Sequence, residues 1–192
     1  ANKFKLLGSL EYRELGAGAD VEWAMEAILG IDRSSWKQEA GTANTCHPEQ
    51  ERFYRTFLPR AARAGLLHGQ IALLNGQPIA FNFGIAQHGV FCCLKHSQTL
   101  EYQALSPGQL LNAELIALLR KRGVDVYDFM GKVETHKMRW SDANGLYTCR
   151  QVQIFPPTIC GRLGYLVCVL KRHASRWLRR VWPVKATPMD DT

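Results

Sequence analysis

Hydrophobic positions change period several times along the chain, and each change marks an element. Residues 10–15 alternate as Leu-Glu-Tyr-Arg-Glu-Leu, with Leu10, Tyr12 and Glu14 on one side, which predicts a strand. After a loop at 16–19, Val21, Ala24, Met25, Ile28 and Leu29 recur at helical spacing. Asp20 is placed to cap this helix and Glu22 suits its positive end, so a helix is expected from Val21 past Gly30 toward Trp36. Residues 39–47 are small and polar, hence a loop. Pro48 takes the first position of a second helix with Phe53, Phe57 and Leu58 on its apolar face. Pro59 is expected to kink or end that helix, and Gly65 closes the segment.

The middle of the chain predicts a β-meander. Residues 67–74 form a strand, Asn75-Gly76 a tight hairpin, residues 78–85 the return, Gln87-His88-Gly89 the next turn, and 90–96 a third strand. A loop at 97–105 leads to the clearest helix. Ser106 caps it, Pro107 opens it, Gln109 completes a capping box, and Leu110, Leu111, Leu115, Leu118 and Leu119 form its buried face. Gly123 ends it. The short apolar run 124–129 then reads as a buried parallel strand reached by a helical crossover. Residues 146–155 read as a last strand, and Pro156-Pro157 separates them from a terminal helix at about 159–181. The order β-α-α-β-β-β-α-β-(turn)-β-α describes an α/β fold with a central mixed sheet flanked by helices.

Composition narrows the class. With 46% apolar and 21% charged residues the chain can bury a core, which argues against general disorder. Its 192 residues suit one main domain, expected at 1–156 and followed by a basic amphipathic helix and tail at 157–192. The net charge of +7 is concentrated in that tail: residues 157–192 carry seven Lys or Arg against two Asp, and residues 1–156 carry 17 against 15. A nearly neutral body disfavours nucleic acid as a partner. The six cysteines include no C-x-x-C pair, and the six histidines show no zinc-site spacing, so reduced thiols and no metal are expected. No signal peptide and no spanning apolar run are present, which suits a cytoplasmic location. The first residue is Ala1, so the sequence reads as part of a longer protein. In the terminal helix Ile159, Leu163, Leu166, Leu170, Trp177 and Val181 lie near one face with basic residues between them. Either that face packs against the sheet, or the helix makes peripheral contact with an anionic membrane.

Two segments carry candidate chemistry. The helix opened by Ser106-Pro107-Gly108-Gln109 presents its first amides and its positive end after a strand and loop, an arrangement suited to phosphate, although ordinary capping uses the same residues. Asp128 falls at the C-terminal end of the parallel strand, the edge where open α/β sheets bind ligands, or else it caps the following turn. Gly131 permits a tight turn, with Lys132, Glu134, His136, Lys137 and Arg139 behind it.

The combination Leu105-Ser106-Pro107-Gly108, Tyr127-Asp128-Phe129-x-Gly131 and Lys137-x-x-Trp140 closely resembles the CelD-type acetyltransferase family of the GNAT superfamily, which is distantly related to FemAB-like aminoacyl transferases. The hairpin at Asn75-Gly76 and the pair Ser35-Trp36 add to the resemblance, which covers roughly residues 10–142. It implies a GNAT fold in which the strands at 90–96 and 124–129 splay apart to admit the pantetheine of acetyl-CoA or another acyl-CoA. It places the donor at Lys95, Ser106, Gly108, Gln109 and Leu110, and a small-molecule or saccharide amine acceptor near Trp36, Gly131 and Trp140. Only one glycine, Gly108, stands where the general GNAT loop has two. In such a transfer Asp128 or Glu101 accepts the amine proton, Tyr102 protonates the thiolate, and Lys95 and Lys137 stabilise negative charge. Acyl-CoA-dependent N-acyl transfer in cell-envelope or polysaccharide synthesis is the leading expectation. An aminoacyl-tRNA-dependent transferase and a non-catalytic GNAT-shaped module are the rivals.

Overall fold

The computed structural model describes residues 4, 6–41, 43, 46–141, 145–148 and 152–181. The chain divides into two compact units, Ala1–Trp140 and Ser141–Thr192.

The first unit is built on a five-stranded sheet in the order β1-β2-β3-β4-β5: β1 (Leu10–Leu15), β2 (Leu67–Leu74), β3 (Gln77–Gln87), β4 (Val90–Gln98) and β5 (Val126–Asp128). The first four are antiparallel neighbours, and β5 joins parallel to β4. Both hairpins form as expected. Asn75 and Gly76 have φ of 50° and 78°, and His88 and Gly89 have 50° and 75°, the positive values that a two-residue turn demands.

Alternation along the strands sends side chains to two faces. On one, Ile71, Leu73, Phe81 and Phe83 pack with helices α1 (Val21–Arg33) and α3 (Pro48–Arg63), which contribute Met25, Ile28, Leu29 and Leu58. On the other, Ala72, Leu74 and Phe91 meet Leu111, Leu115 and Leu119 of α4 (Pro107–Lys121). Burial of these groups stabilises the unit by roughly 1.5–3 kcal/mol per large side chain.

Three helix expectations change. α1 starts at the Asp20 cap, whose Oδ1 accepts from Trp23 N at 3.0 Å, but it stops at Arg33. The Ser34 hydroxyl donates back to the carbonyls of Gly30 and Ile31, the Ser35 hydroxyl donates to that of Asp32, and a separate short helix α2 (Trp36–Glu39) begins. α3 continues through Pro59 to Arg63, because Leu58, Ala61 and Ala62 are held in the core on either side of it. Ser106 adopts a left-handed conformation (φ 52°, ψ 53°) and its side chain makes no cap bond, so the expected capping box is absent. Gln98 caps α4 instead, its Oε1 accepting from Gly108 N at 2.8 Å.

The strand expected at 146–155 is also absent: residues 146–148 and 152–155 carry no strand, and 149–151 lie outside the described residues. Leu146, Tyr147, Val152 and Ile154 are exposed. A strand needs a face to bury, and Leu146, Tyr147, Val152 and Ile154 bury none.

The second unit holds α6 (Ile159–Val181), preceded in the chain by the short α5 (Thr135–Met138) of the first unit. Thr158 caps α6, its hydroxyl accepting from Gly161 N at 3.2 Å. The small residues Gly161 and Gly164 let Pro156 and Phe155 fold back on the helix, whereas Ile159, Leu163, Leu166, Val167 and Leu170 are exposed.

The feature that shapes the site is a bulge. Phe83 pairs with Lys95 but Gly84 pairs with Cys93, so Leu94 is an extra residue on β4. Gly84 is required beside it, since a Cβ there would lie 2.0 Å from the Cys92 carbonyl oxygen. Gly84→Ala is expected to destabilise the protein by about 1–3 kcal/mol, measured as a lower melting temperature; an unchanged melting temperature would show that β3 and β4 do not approach this closely.

Candidate active site

β4 and β5 pair only at Val90↔Val126, Phe91↔Tyr127 and Cys92↔Asp128. β4 then runs on to Gln98, and on its side away from β3 no described strand lies beside it there. Thr99 N donates to Ile79 O at 2.9 Å, which makes that pair a hydrogen-bonded one. Antiparallel pairs alternate, so at Ala80↔Gln98 and Asn82↔His96 the main-chain groups of β4 turn away from β3. The N–H and C=O of His96 and Gln98 therefore line the edge that β5 leaves open.

A closed series of contacts surrounds this edge. Lys37 of α2 donates from Nζ to the His96 carbonyl. Gln98 takes the Gly108 amide at the start of α4. Gln109 Oε1, one residue further along α4, accepts from Trp140 Nε1 at 2.9 Å. Lys137 Nζ reaches back to the carbonyls of Met130 and Lys132 at 2.8 and 3.0 Å and pairs with Glu134 at 3.2 Å. Asp128 returns the series to β4 through its pairing with Cys92.

Under the edge lies a buried polar group. Asn82 Nδ2 donates to Asn112 Oδ1 at 2.6 Å and to the Tyr127 hydroxyl at 2.7 Å, while the Cys93 thiol donates to Asn82 Oδ1 at 3.4 Å. One asparagine thus joins β3, β4, β5 and α4. Burial pushes the Cys93 thiol up to about 11 and raises the Tyr127 phenol, so both stay protonated at neutral pH.

On the α1/α3 face two lysines approach the same region. Lys95 Nζ lies 5.9 Å from the centre of the Tyr54 ring. Burial lowers its pKa, and Asp32 acts in the opposite direction. Burial lowers that of Lys37 too; Lys95 adds to the lowering, and Asp32, Cys93 and Glu134 oppose it. Asp32 is itself buried, at 1% exposure, so a carboxylate and two ammonium groups share a half-dry corner beside the open edge.

The sequence candidates divide. Gly108, Gln109 and Leu110 stand at the first turn of α4, but their amides have acceptors within the chain: Gln98 for the first and the Ser106 carbonyl for the other two, at 3.0 and 3.4 Å. Lys95 points to Tyr54 and Asp32. Asp128 caps the next turn, its Oδ1 accepting from Met130 N at 2.7 Å, and Met130 and Gly131 take positive φ. Lys137, with three acceptors on its ammonium, ties that loop together. Glu101 accepts the Tyr102 hydroxyl, which raises the phenol's pKa, and the Tyr102 ring packs beside Phe4 and Leu111. Trp36 is half-exposed next to Lys37. Lys37, Asp32, Asn82 and Asn112 escaped the sequence reading. Only the position of Lys37 directly after Ser35-Trp36 hinted at it. The described cysteines Cys46, Cys92, Cys93, Cys160 and Cys168 are free thiols, and no described group of His, Cys, Asp and Glu could hold a metal.

Known proteins share this architecture. The profile of the "Acetyltransferase (GNAT) domain" family matches residues 1–138. No curated protein sequence matches the chain. Among solved structures, AAC(6')-Iy in complex with the bisubstrate analogue CoA-S-monomethyl-acetylneamine aligns with a TM-score of 0.51 and 14% identity, over 79% of this chain and 99% of that one. An aminoglycoside acetyltransferase from an uncultured soil metagenomic sample gives 0.53 and 11%, over 78% and 99%. The PaiA N-acetyltransferase of Thermoplasma acidophilum with coenzyme A gives 0.48 and 20%, over 60% and 75%. At these identities the two neighbours with TM-scores above 0.5 speak for the fold, and the match across most of the chain speaks for the family: the protein belongs to the acetyltransferase (GNAT) domain family.

Proposed function

We propose that the domain transfers an acyl group from acetyl-CoA or another acyl-CoA to the primary amine of a small acceptor, an amino sugar or other cell-envelope precursor, as a cytoplasmic member of the CelD-type branch. The observation that carries this reading is the open edge of β4. A pantetheine arm is an extended chain with two amides, and it can add to the main-chain groups of His96 and Gln98 as a strand would. The start of α4 stands at the far end of that edge, where its dipole favours the pyrophosphate. In this arrangement the pyrophosphate takes the Gly108 amide over from Gln98.

The chemistry needs an unprotonated amine held against the thioester. Its nitrogen attacks the carbonyl carbon, the C–S bond breaks, and the thiolate leaves with a proton that the nitrogen loses. Positioning supplies much of the acceleration. Asp128 and Lys137 serve it by shaping the loop at 128–137 that bounds the site.

One observation favours a different reading. The first amides of α4 are already satisfied within the chain, as they would be in a GNAT-shaped interaction module that binds no donor. Calorimetry decides between them. The transferase reading expects saturable acetyl-CoA binding and thiol release with glucosamine as the probe acceptor, with Lys137→Ala reducing turnover at least tenfold; no heat on acetyl-CoA titration would leave the module reading.

We further propose that α6 attaches the protein peripherally to anionic lipid. No described helix is long and apolar enough to cross a membrane. The exposed row Ile159, Leu163, Leu166 and Leu170 lies along one face, and residues 157–192 carry seven basic residues against two acidic ones. The protein is expected to float with phosphatidylglycerol vesicles at low salt and to be released at high salt, since screening shortens to about 3 Å at 1 M. Leu166→Glu should abolish flotation. Equal behaviour with neutral vesicles would sink the attachment.

A further inference from the structure

The open edge of β4 carries one contact that neither a core nor a loop requires. Lys37 belongs to α2, which the main chain already anchors: Leu100 N donates to Ser34 O at 2.8 Å and Ala43 N to Lys37 O at 3.1 Å. Its ammonium is nevertheless drawn into a half-dry corner to reach the carbonyl of His96, one of the groups turned toward the open edge. A donor that enters with its pyrophosphate at Gly108 runs along β4 from Gln98 toward Cys93. Its thioester then passes His96, where the Lys37 Nζ stands.

We propose that Lys37 is a catalytic residue whose ammonium passes from the His96 carbonyl to the thioester carbonyl oxygen and stabilises the oxyanion formed there. This deepens the acyl-CoA reading and rests on it. As the amine nitrogen bonds to the carbonyl carbon, the π pair moves onto the oxygen and Lys37 donates a hydrogen bond to it. When the C–O double bond re-forms, the C–S bond breaks and the sulfur leaves with the proton lost by the nitrogen. Lys37 donates throughout and gives up no proton. A donor aimed at developing charge in a site sheltered from water is among the larger contributions an enzyme can make.

The groups facing Lys37 set its pH behaviour: Asp32 from α1, Lys95 and Cys93 from β4, and Glu134 from the loop before α5. Burial, the largest influence, holds its pKa below the ordinary lysine value. The ammonium is the working form, so turnover falls as pH rises through that lowered pKa.

Carbonyl-labelled acetyl-CoA observed by carbon NMR tests the inference without knowledge of the acceptor. The bound carbonyl resonance is expected downfield of the free one in the wild type. It should return to the free position in Lys37→Met with acetyl-CoA affinity unchanged, and shift downfield again in Lys37→Arg. With glucosamine, turnover of the Met variant falls on the order of 10²-fold, and the high-pH loss of activity disappears in the Arg variant. A wild-type resonance at the free position overturns the inference even if the Met variant does not fold, and so does an equal shift in wild type and Met variant. A wild type that binds no acetyl-CoA overturns the acyl-CoA reading itself.

Discussion

Three residue pairs join β4 to β5, and the rest of the site follows from their number. Parallel pairing that ended at Gln98 would spend the main-chain groups of His96 and Gln98 on a neighbouring strand, and the first unit would carry a closed sheet. Pairing that stops at Cys92 leaves polar backbone at an edge, which a folded protein has to satisfy or expose. One side chain answers this edge directly, and two others fix what stands around it. Lys37 takes the carbonyl of His96, Gln98 turns its own side chain to Gly108, and the loop after β5 is tied into a fixed shape by Lys137.

The bulge at Leu94 makes this edge possible. An extra residue bends β4 and changes its register, so that Leu94 packs with the α1/α3 core, and β4 continues beyond the point where β5 ends. The cost of interrupting the sheet is met by polar groups under it. Asn82 satisfies Asn112, Tyr127 and Cys93 together, and removing any partner would strand a buried donor or acceptor at about 1–3 kcal/mol. The open edge thus stands over a buried, hydrogen-bonded polar group.

In the transferase reading, Lys37 at the edge and Gln98 at the start of α4 would compete with the donor. Both make intramolecular bonds that the donor would have to replace, and such an exchange would cost little because each hydrogen bond lost would be matched by one gained. Lys137 differs, because its three acceptors all belong to the loop it holds. Lys137 thus ties together the loop after β5, and Lys37, which faces the open edge, directly follows Ser35-Trp36.

Local features were legible in the sequence wherever the residue's own chemistry decides the outcome. Asn75-Gly76 and His88-Gly89 had to turn, Asp20 had to cap a helix, Pro107 had to open one, and the apolar runs of β2, β3 and β4 had to be buried. The parallel strand after α4 was legible too, although it is shorter than the expected 124–129, running Val126–Asp128, and its Val126 is exposed rather than buried. What failed depended on partners distant in the chain. The strand expected at 146–155 found no face to bury, and Ser106 yielded its cap to Gln98. Lys37 acquired its place only when α2 was laid across β4, 59 residues further along the chain. Periodicity and turn chemistry act over a few residues and belong to the sequence; the open edge and the ammonium beside it arise because β5 ends after three pairs while β4 runs on, which only the folded chain could decide.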